Sequence, residues 1–395
     1  MDSGFATSAN ASKPKTTFPP EKTWRPEGCD GIGLILQGGG ALGAYQAGVY
    51  QALHEAGLEP DWIAGVSIGG INSAIIAGNP PERRLEKLEE FWHLVTSRDV
   101  AAAWLDGDDP RKWRNMFSAM SSVFFGQPGF FKPNLMNAWL SPRGAKTATA
   151  MYDTQPLKET LERLVDFDLI NARAMRFAVG AVNVETANFV YFDNAQVPIG
   201  PEHIMASGAL PPAFPMVRIG PNFFWDGGLV SNTPLQHLLE NCGSADMLVF
   251  QVDLFSASGP LPRDMGEVLS REKDIRYSSR TRMITSAFAA EIKLKTQLRD
   301  ALAKVPEAQL SDEQKKLKEE LKLLPAANIL QLIYRQKAYE GDAKDYEFSR
   351  LSMREHWRTG YHDTRNTLLQ KEWLRMPPHG EGIITHDIHK AQEFS

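Results

Sequence analysis

The stretch from Gly31 to Gly78 constrains the fold of this chain more than any other part of the sequence. It begins with the apolar run GIGLILQ, which ends in glycines and predicts a buried strand followed by a tight loop. The segment AYQAGVYQALHEAG predicts a helix, and DWIAGV then predicts a second buried strand. The next segment, GGINSAIIAG, predicts a helix that ends at Gly78. Strand, helix, strand and helix in this order indicate an α/β fold with parallel strands.

The glycine run after the first strand, Gly38 to Gly43, has the GxGxxG spacing of a dinucleotide-binding loop. Such a site requires an acidic side chain at the carboxyl end of the second strand, where it holds the ribose. Ser67 occupies that place, and Asp61 lies at the other end of the strand. Because GxGxxG alone is a weak signal, we expect no dinucleotide, and we expect no other cofactor.

The serine in GVSIGG fits a nucleophile elbow, in which a GxSxG sequence turns sharply from a strand into a helix. Gly65 and Gly69 leave room for the tight backbone, and the N-terminus of the following helix favours negative charge at Ser67. Three glycines of the preceding loop are candidate oxyanion donors through their N–H groups: Gly38, Gly39 and Gly40. A simple turn of small residues predicts neither the adjacent strand nor the second glycine loop.

An activated serine needs a base, and the run FFWDGGLVSNTP offers Asp226 at a strand end before a glycine turn. A lone Asp-Gly is most often a solvated turn, so this assignment depends on its partner. An α/β-hydrolase would place several strands before its elbow and a histidine after its acid. His237 and His203 are the histidines nearest to the motifs, and we expect neither of them to carry the proton.

The glycine loop, the GxSxG serine and the late DGG aspartate together resemble the signature of the patatin-like phospholipases. Three further stretches between residues 31 and 256 are similar to that family: YDTQPLKETLERLV, ASGALPPAFP and DGGLVSNTPL. The resemblance implies a three-layer α/β/α fold with a mainly parallel central sheet, and a dyad of Ser67 and Asp226 without histidine. It also implies a motif role for five glycines: Gly43, Gly65, Gly69, Gly227 and Gly228.

One residue departs from the family pattern. Many members carry Lys or Arg in the glycine loop where this chain has Leu42, so a cation that would attract an anionic head group is missing. The preferred head group is therefore open.

The dyad also poses a chemical problem, because an aspartate with a pKa near 3.9 is a poor base toward a serine hydroxyl. Apolar neighbours such as Phe224 and Trp225 would raise the pKa of Asp226 by desolvation.

The sequence predicts three regions: a disordered N-terminal tail (1–28), a catalytic domain (29–256) and a mostly helical C-terminal extension (257–395). The tail is rich in Ser, Thr, Pro and Lys. In the extension we expect long helical segments over 264–304, a charged helix capped by Ser311, a strand at NILQLIYRQ and a further helix. An aromatic and methionine-rich stretch, residues 104–139, predicts a cap, an acyl pocket or a secondary core.

Composition limits the partners of the chain. A net charge of −5 supplies no basic excess for a phosphate backbone, so we expect no nucleic acid. Two distant cysteines, Cys29 and Cys242, suit a reducing cytoplasm, and no residue cluster has metal-ligand spacing. Because no apolar run approaches the roughly 20 residues of a membrane span, any membrane contact is expected to be peripheral.

These features predict a serine acyl hydrolase that acts on phospholipid or glycerolipid esters through an acyl-enzyme on Ser67. Two alternatives stay open: a carboxylesterase or thioesterase for smaller acyl substrates, and a catalytically idle lipid-binding scaffold. The sequence leaves the oligomeric state undetermined.

Overall fold

The computed structural model of the 395-residue chain describes residues 24–96, 108–134, 138–322, 325–337, 339–341, 343–378 and 382–387. The predicted tail therefore lies outside the described residues as far as residue 23. Its last five residues lie against the folded body, where the N–H of Trp24 donates to the carbonyl of Gly57 at 3.0 Å. Arg25 also forms an ion pair with Asp61.

The centre of the molecule is a nine-stranded sheet that is mainly parallel. The described strands are β1 (Gly31–Leu36), β2 (Trp62–Gly65), β3 (Lys132–Pro133), β4 (Tyr152–Asp153), β5 (Arg176–Asn183), β6 (Phe189–Asp193), β7 (Val217–Ile219), β8 (Asn222–Asp226), β9 (Met247–Asp253), β10 (Ala327–Ile333) and β11 (Ile383–Asp387). The order across the sheet is β11-β10-β9-β1-β2-β5-β8-β7, and β6 pairs with β5. The first six strands of this order run parallel, β6, β7 and β8 pair antiparallel, and β3 and β4 form a separate ladder.

Helices surround this sheet. They are α1 (Ala44–Glu55), α2 (Ile68–Ala77), α3 (Pro81–Val95), α4 (Asp108–Phe125), α5 (Gln155–Leu164), α6 (Phe167–Asn171), α7 (Pro201–Ser207), α8 (Leu235–Asn241), α9 (Met265–Ala303), α10 (Asp312–Lys322) and α11 (Arg350–Leu369).

Both faces of the sheet are buried, because alternate residues of each strand enter different apolar clusters. In β1, Leu34 and Leu36 belong to the larger cluster, whereas Ile35 belongs to the smaller one. The smaller cluster also contains Leu238 of α8 and Ile292 of α9, which places these two helices on that face. The predicted α/β/α fold with a mainly parallel central sheet is confirmed.

The C-terminal extension takes part in this sheet. Its strands β10 and β11 continue the parallel order from β9, so the sheet runs through the predicted boundary at residue 256. As predicted, Ser311 caps α10: its hydroxyl accepts from the N–H of Gln314 at 3.2 Å. The predicted helical segments over 264–304 form the single helix α9, which begins after Asp264. The division into three regions stays a prediction, since the domain and the extension share one sheet.

Helix α11 of the extension packs on α1 with very close backbone contact. A Cβ on Gly48 would lie 1.9 Å from the carbonyl oxygen of Trp357, and one on Gly360 would lie 2.0 Å from that of Tyr45. Glycine at both crossing points therefore lets the two helices touch. The extension therefore packs on the helix that directly follows the glycine loop with the candidate oxyanion donors.

Candidate active site

Ser67 lies in the tight turn between β2 and α2, as the elbow prediction requires. Its φ of 55° and ψ of −124° are uncommon for a residue with a side chain, and such strain is typical of a nucleophile elbow. A Cβ on Gly65 would lie 2.3 Å from the backbone of Gly69, and one on Gly69 would lie 2.2 Å from the carbonyl oxygen of Leu36. The turn can therefore form only with glycine at both positions.

A serine that the sequence did not single out holds this elbow in place. The hydroxyl of Ser207, at the end of α7, accepts a hydrogen bond from the N–H of Ser67 at 2.9 Å, and Ser207 is fully buried. It belongs to the family-like stretch ASGALPPAFP, which is the one signal that could have drawn attention to it.

Strand pairing brings Asp226 beside Ser67. Asp226 ends β8, which pairs with β5, and β5 is the neighbour of β2 in the sheet. Its side chain hydrogen-bonds to that of Ser67, and its Oδ1 accepts from the N–H of Gly228 at 2.7 Å.

Burial determines the proton affinity of Asp226. Desolvation raises the pKa of its carboxyl from the ordinary 3.8 to about 7, against the opposing effect of the hydrogen bonds from Gly228 and Ser67. A carboxyl with this pKa is a much stronger base than a solvated aspartate, which is the property that the dyad needs.

Asn232 joins the glycine loop to the turn after Asp226. Its side-chain Nδ2 donates to the carbonyl of Gly38 at 3.0 Å, and its backbone carbonyl accepts from the N–H of Gly38 at 3.4 Å. A Cβ on Gly38 would lie 2.4 Å from Oδ1 of Asn232 and 3.1 Å from Cβ of Ser67. Gly38 is thus in contact with the serine, and Asn232, which the sequence reasoning did not select, fixes its position.

Buried amides support the glycine loop from behind. Gln46 donates to the carbonyl of Gln37 at 2.6 Å, and Asn72 donates to Gln46 at 2.9 Å and to the carbonyl of Gly43 at 3.0 Å. The indole N–H of Trp92 in turn donates to Asn72 at 3.1 Å. These bonds connect α1, α2 and α3 below the loop. Leu42, the departure from the family pattern, is fully buried there, so it presents no side chain to a ligand.

The two histidines considered for a triad lie elsewhere. His237 donates through Nε2 to the carboxylate of Asp193 at 2.8 Å and stacks on Tyr191 at 4.2 Å. It also packs against Trp62, the first residue of β2, and so lies at the opposite end of that strand from Ser67. His203 contacts Phe192 and bonds to the N–H of Gly200 at 3.0 Å. Among the described residues, no histidine lines the cavity at Ser67.

The cavity above Ser67 is small, about 70 Å³. Its polar end contains Ser67, Asp226 and the glycine loop, and its apolar walls include Phe130, Phe131 and Phe214. Within the stretch 104–139, Phe130 and Phe131 thus line this cavity, whereas much of α4 is exposed. Residues 104–107 and 135–137 of that stretch lie outside the described residues.

No three His, Cys, Asp or Glu side chains in the described ranges are grouped so as to hold a metal ion. The described helices include none with the length and apolar character of a membrane span.

The fold and this site define an α/β protein in which an elbow serine after β2 meets a buried carboxyl at the end of β8 across the intervening strand β5. The chain belongs to the patatin-like phospholipase family: the family model described as Patatin-like phospholipase matches residues 34–239, about half of the chain. A second model, described as Patatin phospholipase, matches residues 275–380 in the extension.

Curated relatives share parts of the chain. It is 28% identical over 240 residues to Lysophospholipase NTE1 of Cryptococcus neoformans, and the aligned region covers 60% of this chain and 12% of that protein. It is 50% identical over 44 residues to Neuropathy target esterase sws of Drosophila melanogaster, covering 11% of this chain and 3% of that protein. The chain therefore spans an eighth or less of the length of these relatives.

Among solved structures, the crystal structure of VipD from Legionella pneumophila aligns with a TM-score of 0.38 and 15% identity. The alignment covers 90% of this chain and 71% of that chain.

Proposed function

We propose that this protein hydrolyses acyl esters of phospholipids or glycerolipids through an acyl-enzyme on Ser67, with Asp226 as the base. The observation that carries the proposal is the buried Asp226 carboxyl, whose pKa is raised to about 7 and which hydrogen-bonds to the elbow serine. Family membership supports a lipid acyl substrate, and the names of two relatives contain lysophospholipase and esterase.

In the proposed acylation step, Oγ of Ser67 attacks the ester carbonyl carbon while its proton passes to Asp226. The tetrahedral intermediate then expels the alcohol, which takes the proton from Asp226. Water hydrolyses the acyl-enzyme by the same route, with Asp226 again accepting the proton, and Ser67 is regenerated with release of the fatty acid.

The negative oxygen of the intermediate requires donors that are already in place. We assign this role to the N–H groups of Gly38, Gly39 and Gly40, since Gly38 contacts Ser67 and Asn232 holds the loop. One well-placed donor lowers such a barrier by about 3 kcal/mol.

A smaller acyl substrate is the second candidate, and the 70 Å³ cavity favours it. An idle lipid-binding scaffold is disfavoured, because a buried carboxyl at a strained serine has no evident use without catalysis.

A substrate panel separates these candidates. We expect fatty acid release from phosphatidylcholine, lysophosphatidylcholine or monoacylglycerol, measured by mass spectrometry with purified full-length protein. Hydrolysis confined to acyl-CoA or p-nitrophenyl butyrate would instead identify the thioesterase or carboxylesterase. No release from any substrate would favour the scaffold.

We also propose that α4 makes a peripheral contact with lipid surfaces. The buried side of this helix carries small and polar residues, Asn115, Ala119 and Ser122. Its exposed side carries large apolar residues, among them Phe124 and Phe125, which are 65% and 80% exposed. Further exposed apolar residues on this helix are Met116, Phe117, Met120 and Val123. An apolar stripe of this kind is stabilised when it enters a lipid interface.

We expect the double variant Phe117→Ser, Phe124→Ser to bind phosphatidylcholine vesicles at least about tenfold more weakly in flotation assays, because each phenylalanine loses on the order of 2 kcal/mol of apolar burial. Hydrolysis of a soluble ester should stay unchanged. Leu369→Ser is the matched control, since Leu369 is 72% exposed at the end of α11. Equal binding of the double variant and the wild type would exclude α4 as the contact.

The cytoplasmic location stays part of the proposal and is supported by the two unpaired cysteines, Cys29 and Cys242.

A further inference from the structure

The cavity at Ser67 is too small for the substrate that the proposed function requires. Sites for lipid-sized or drug-sized ligands have volumes of roughly 300–1,000 Å³. The cavity here has about 70 Å³, and at roughly 10–15 Å³ for each water-sized group it accommodates only about five to seven such groups. A short acyl group fits this volume, and a long acyl chain does not.

One turn of the C-terminal extension, residues 343–349, forms part of the wall of this cavity. Asp345, Tyr346 and Phe348 of the turn line the cavity together with Ser67 and Asp226. The turn lies directly before α11, whose first N–H groups are capped by Ser349.

The backbone of this turn rests on the glycine loop. A Cβ on Gly40 would lie only 2.2 Å from the carbonyl oxygen of Asp345, and Gly40 has a φ of +54°. Turn and loop are therefore in contact through their backbones, and in this position the turn narrows the space next to the candidate oxyanion donors.

Two crossed ion pairs hold the turn against α9. Lys273 of α9 pairs with Asp345 of the turn at 2.7 Å, and the adjacent Asp274 of α9 pairs with Lys344 of the turn at 2.7 Å. The side chains of Lys344 and Asp274 are 2% and 10% exposed, so this pair is buried, and Lys344 also donates to Gln336 at 2.8 Å. Buried ion pairs are sensitive to the loss of one partner, because the other charge is left without compensation.

Aromatic contacts complete the closed arrangement. Phe348 of the turn meets Phe130 edge to face at 6.0 Å between ring centroids, and Lys273 lies 5.3 Å from the ring centroid of Tyr346. Tyr277 of α9 stacks on Phe255 at 4.8 Å, and both also line the cavity.

We propose that residues 343–349 discriminate between substrates by acyl-chain length, and that the crossed ion pairs set how often the turn leaves the cavity. This inference rests on the proposed function, for which it names the element that selects the acyl chain. Short acyl groups react in the closed arrangement, whereas long chains react only in the fraction of molecules in which the turn is displaced. The observed kcat/KM for long chains then equals the value of the open form multiplied by that fraction.

The test compares p-nitrophenyl acetate with p-nitrophenyl decanoate in the full-length protein. In Lys273→Met, the ratio of kcat/KM for decanoate to that for acetate should rise at least about tenfold, because the open fraction increases. Asp274→Asn breaks the other pair with little change of shape and should shift the ratio in the same direction. Lys295→Met is the matched control, since Lys295 forms an exposed pair with Glu291 on the same helix.

Hydrogen exchange of residues 343–349, followed by mass spectrometry, reports on the turn without any substrate. It should accelerate in Lys273→Met and Asp274→Asn and stay unchanged in Lys295→Met. The proposed selection by the turn is overturned, and the proposed function is not, if Lys273→Met and Asp274→Asn hydrolyse both esters with the wild-type ratio of kcat/KM and show wild-type hydrogen exchange at residues 343–349. If the wild type hydrolyses neither ester and none of the lipids of the substrate panel, the proposed function fails, and the selection of acyl chains fails with it.

Discussion

Replacing Ser67 by alanine should lower kcat for ester hydrolysis by at least about a thousandfold, since the remaining oxyanion donors cannot substitute for a missing nucleophile. A fluorophosphonate should label the wild type at Ser67 and leave the variant unlabelled. The fold should be retained, because alanine keeps the Cβ that the positive-φ position already accommodates. Intact-mass and peptide mass spectrometry measure the labelling, and thermal unfolding checks the fold.

Ser73→Ala is the matched control for this experiment. Ser73 lies on α2, the helix that begins directly after Ser67, and it is fully buried, with no hydrogen-bond partner for its hydroxyl among the described residues. Its removal should leave labelling and kcat near the wild-type values. If Ser67→Ala is folded and still labelled, the nucleophile is another residue.

Both residues of the proposed dyad could be selected from the sequence, because each ends a short apolar run at a glycine turn. Their meeting depends on register: β5 pairs Val179 with Gly65 of the parallel β2 and Ala181 with Asp226 of the antiparallel β8, so the strand-end pattern alone does not predict it. The structure places Ser67 after β2 and Asp226 at the end of β8, with β5 between these strands.

The residues that hold the site could not be selected in this way. Ser207 reaches Ser67 across 140 positions, and Asn232 reaches Gly38 across 194. A single serine at a helix end or a single asparagine in a loop carries no periodic signal, and its partner is decided by how α7 and the turn after β8 pack on the sheet. Such contacts appear only in the folded chain.

The residues through which the extension contributes to the cavity could not be selected from the sequence. The charge pattern of α10 indicates a solvated arm, whereas the predicted strand β10 joins the sheet and three residues of the turn at 343–349 line the cavity. From the sequence alone, Lys344 and Asp274 would each be assigned to the surface because they are charged. In the folded chain they are buried, and their ion pair offsets the cost of removing both charges from water.

The pH dependence of hydrolysis should report on Asp226. The group must be ionised to accept the serine proton, and desolvation raises its pKa to about 7. The logarithm of kcat/KM should therefore rise with pH and level off above about 7, with a loss of about tenfold for each pH unit below that value. An aspartate with an ordinary pKa would give a flat profile between pH 5 and pH 8, which would contradict the assignment of Asp226 as a buried base.

Asp226→Asn should reduce kcat/KM by about a thousandfold and remove this pH dependence, because an amide cannot accept the proton of Ser67. The shape of the site should be preserved, since an amide oxygen can still accept from the N–H of Gly228. His203→Ala is the control for a triad: His203 is buried against Phe192, so its removal should lower the melting temperature and leave most of kcat. If His203→Ala is folded and loses as much kcat as Asp226→Asn, an imidazole takes part in the proton transfer. Because the described cavity contains no histidine, we expect the carboxyl alone to determine the profile.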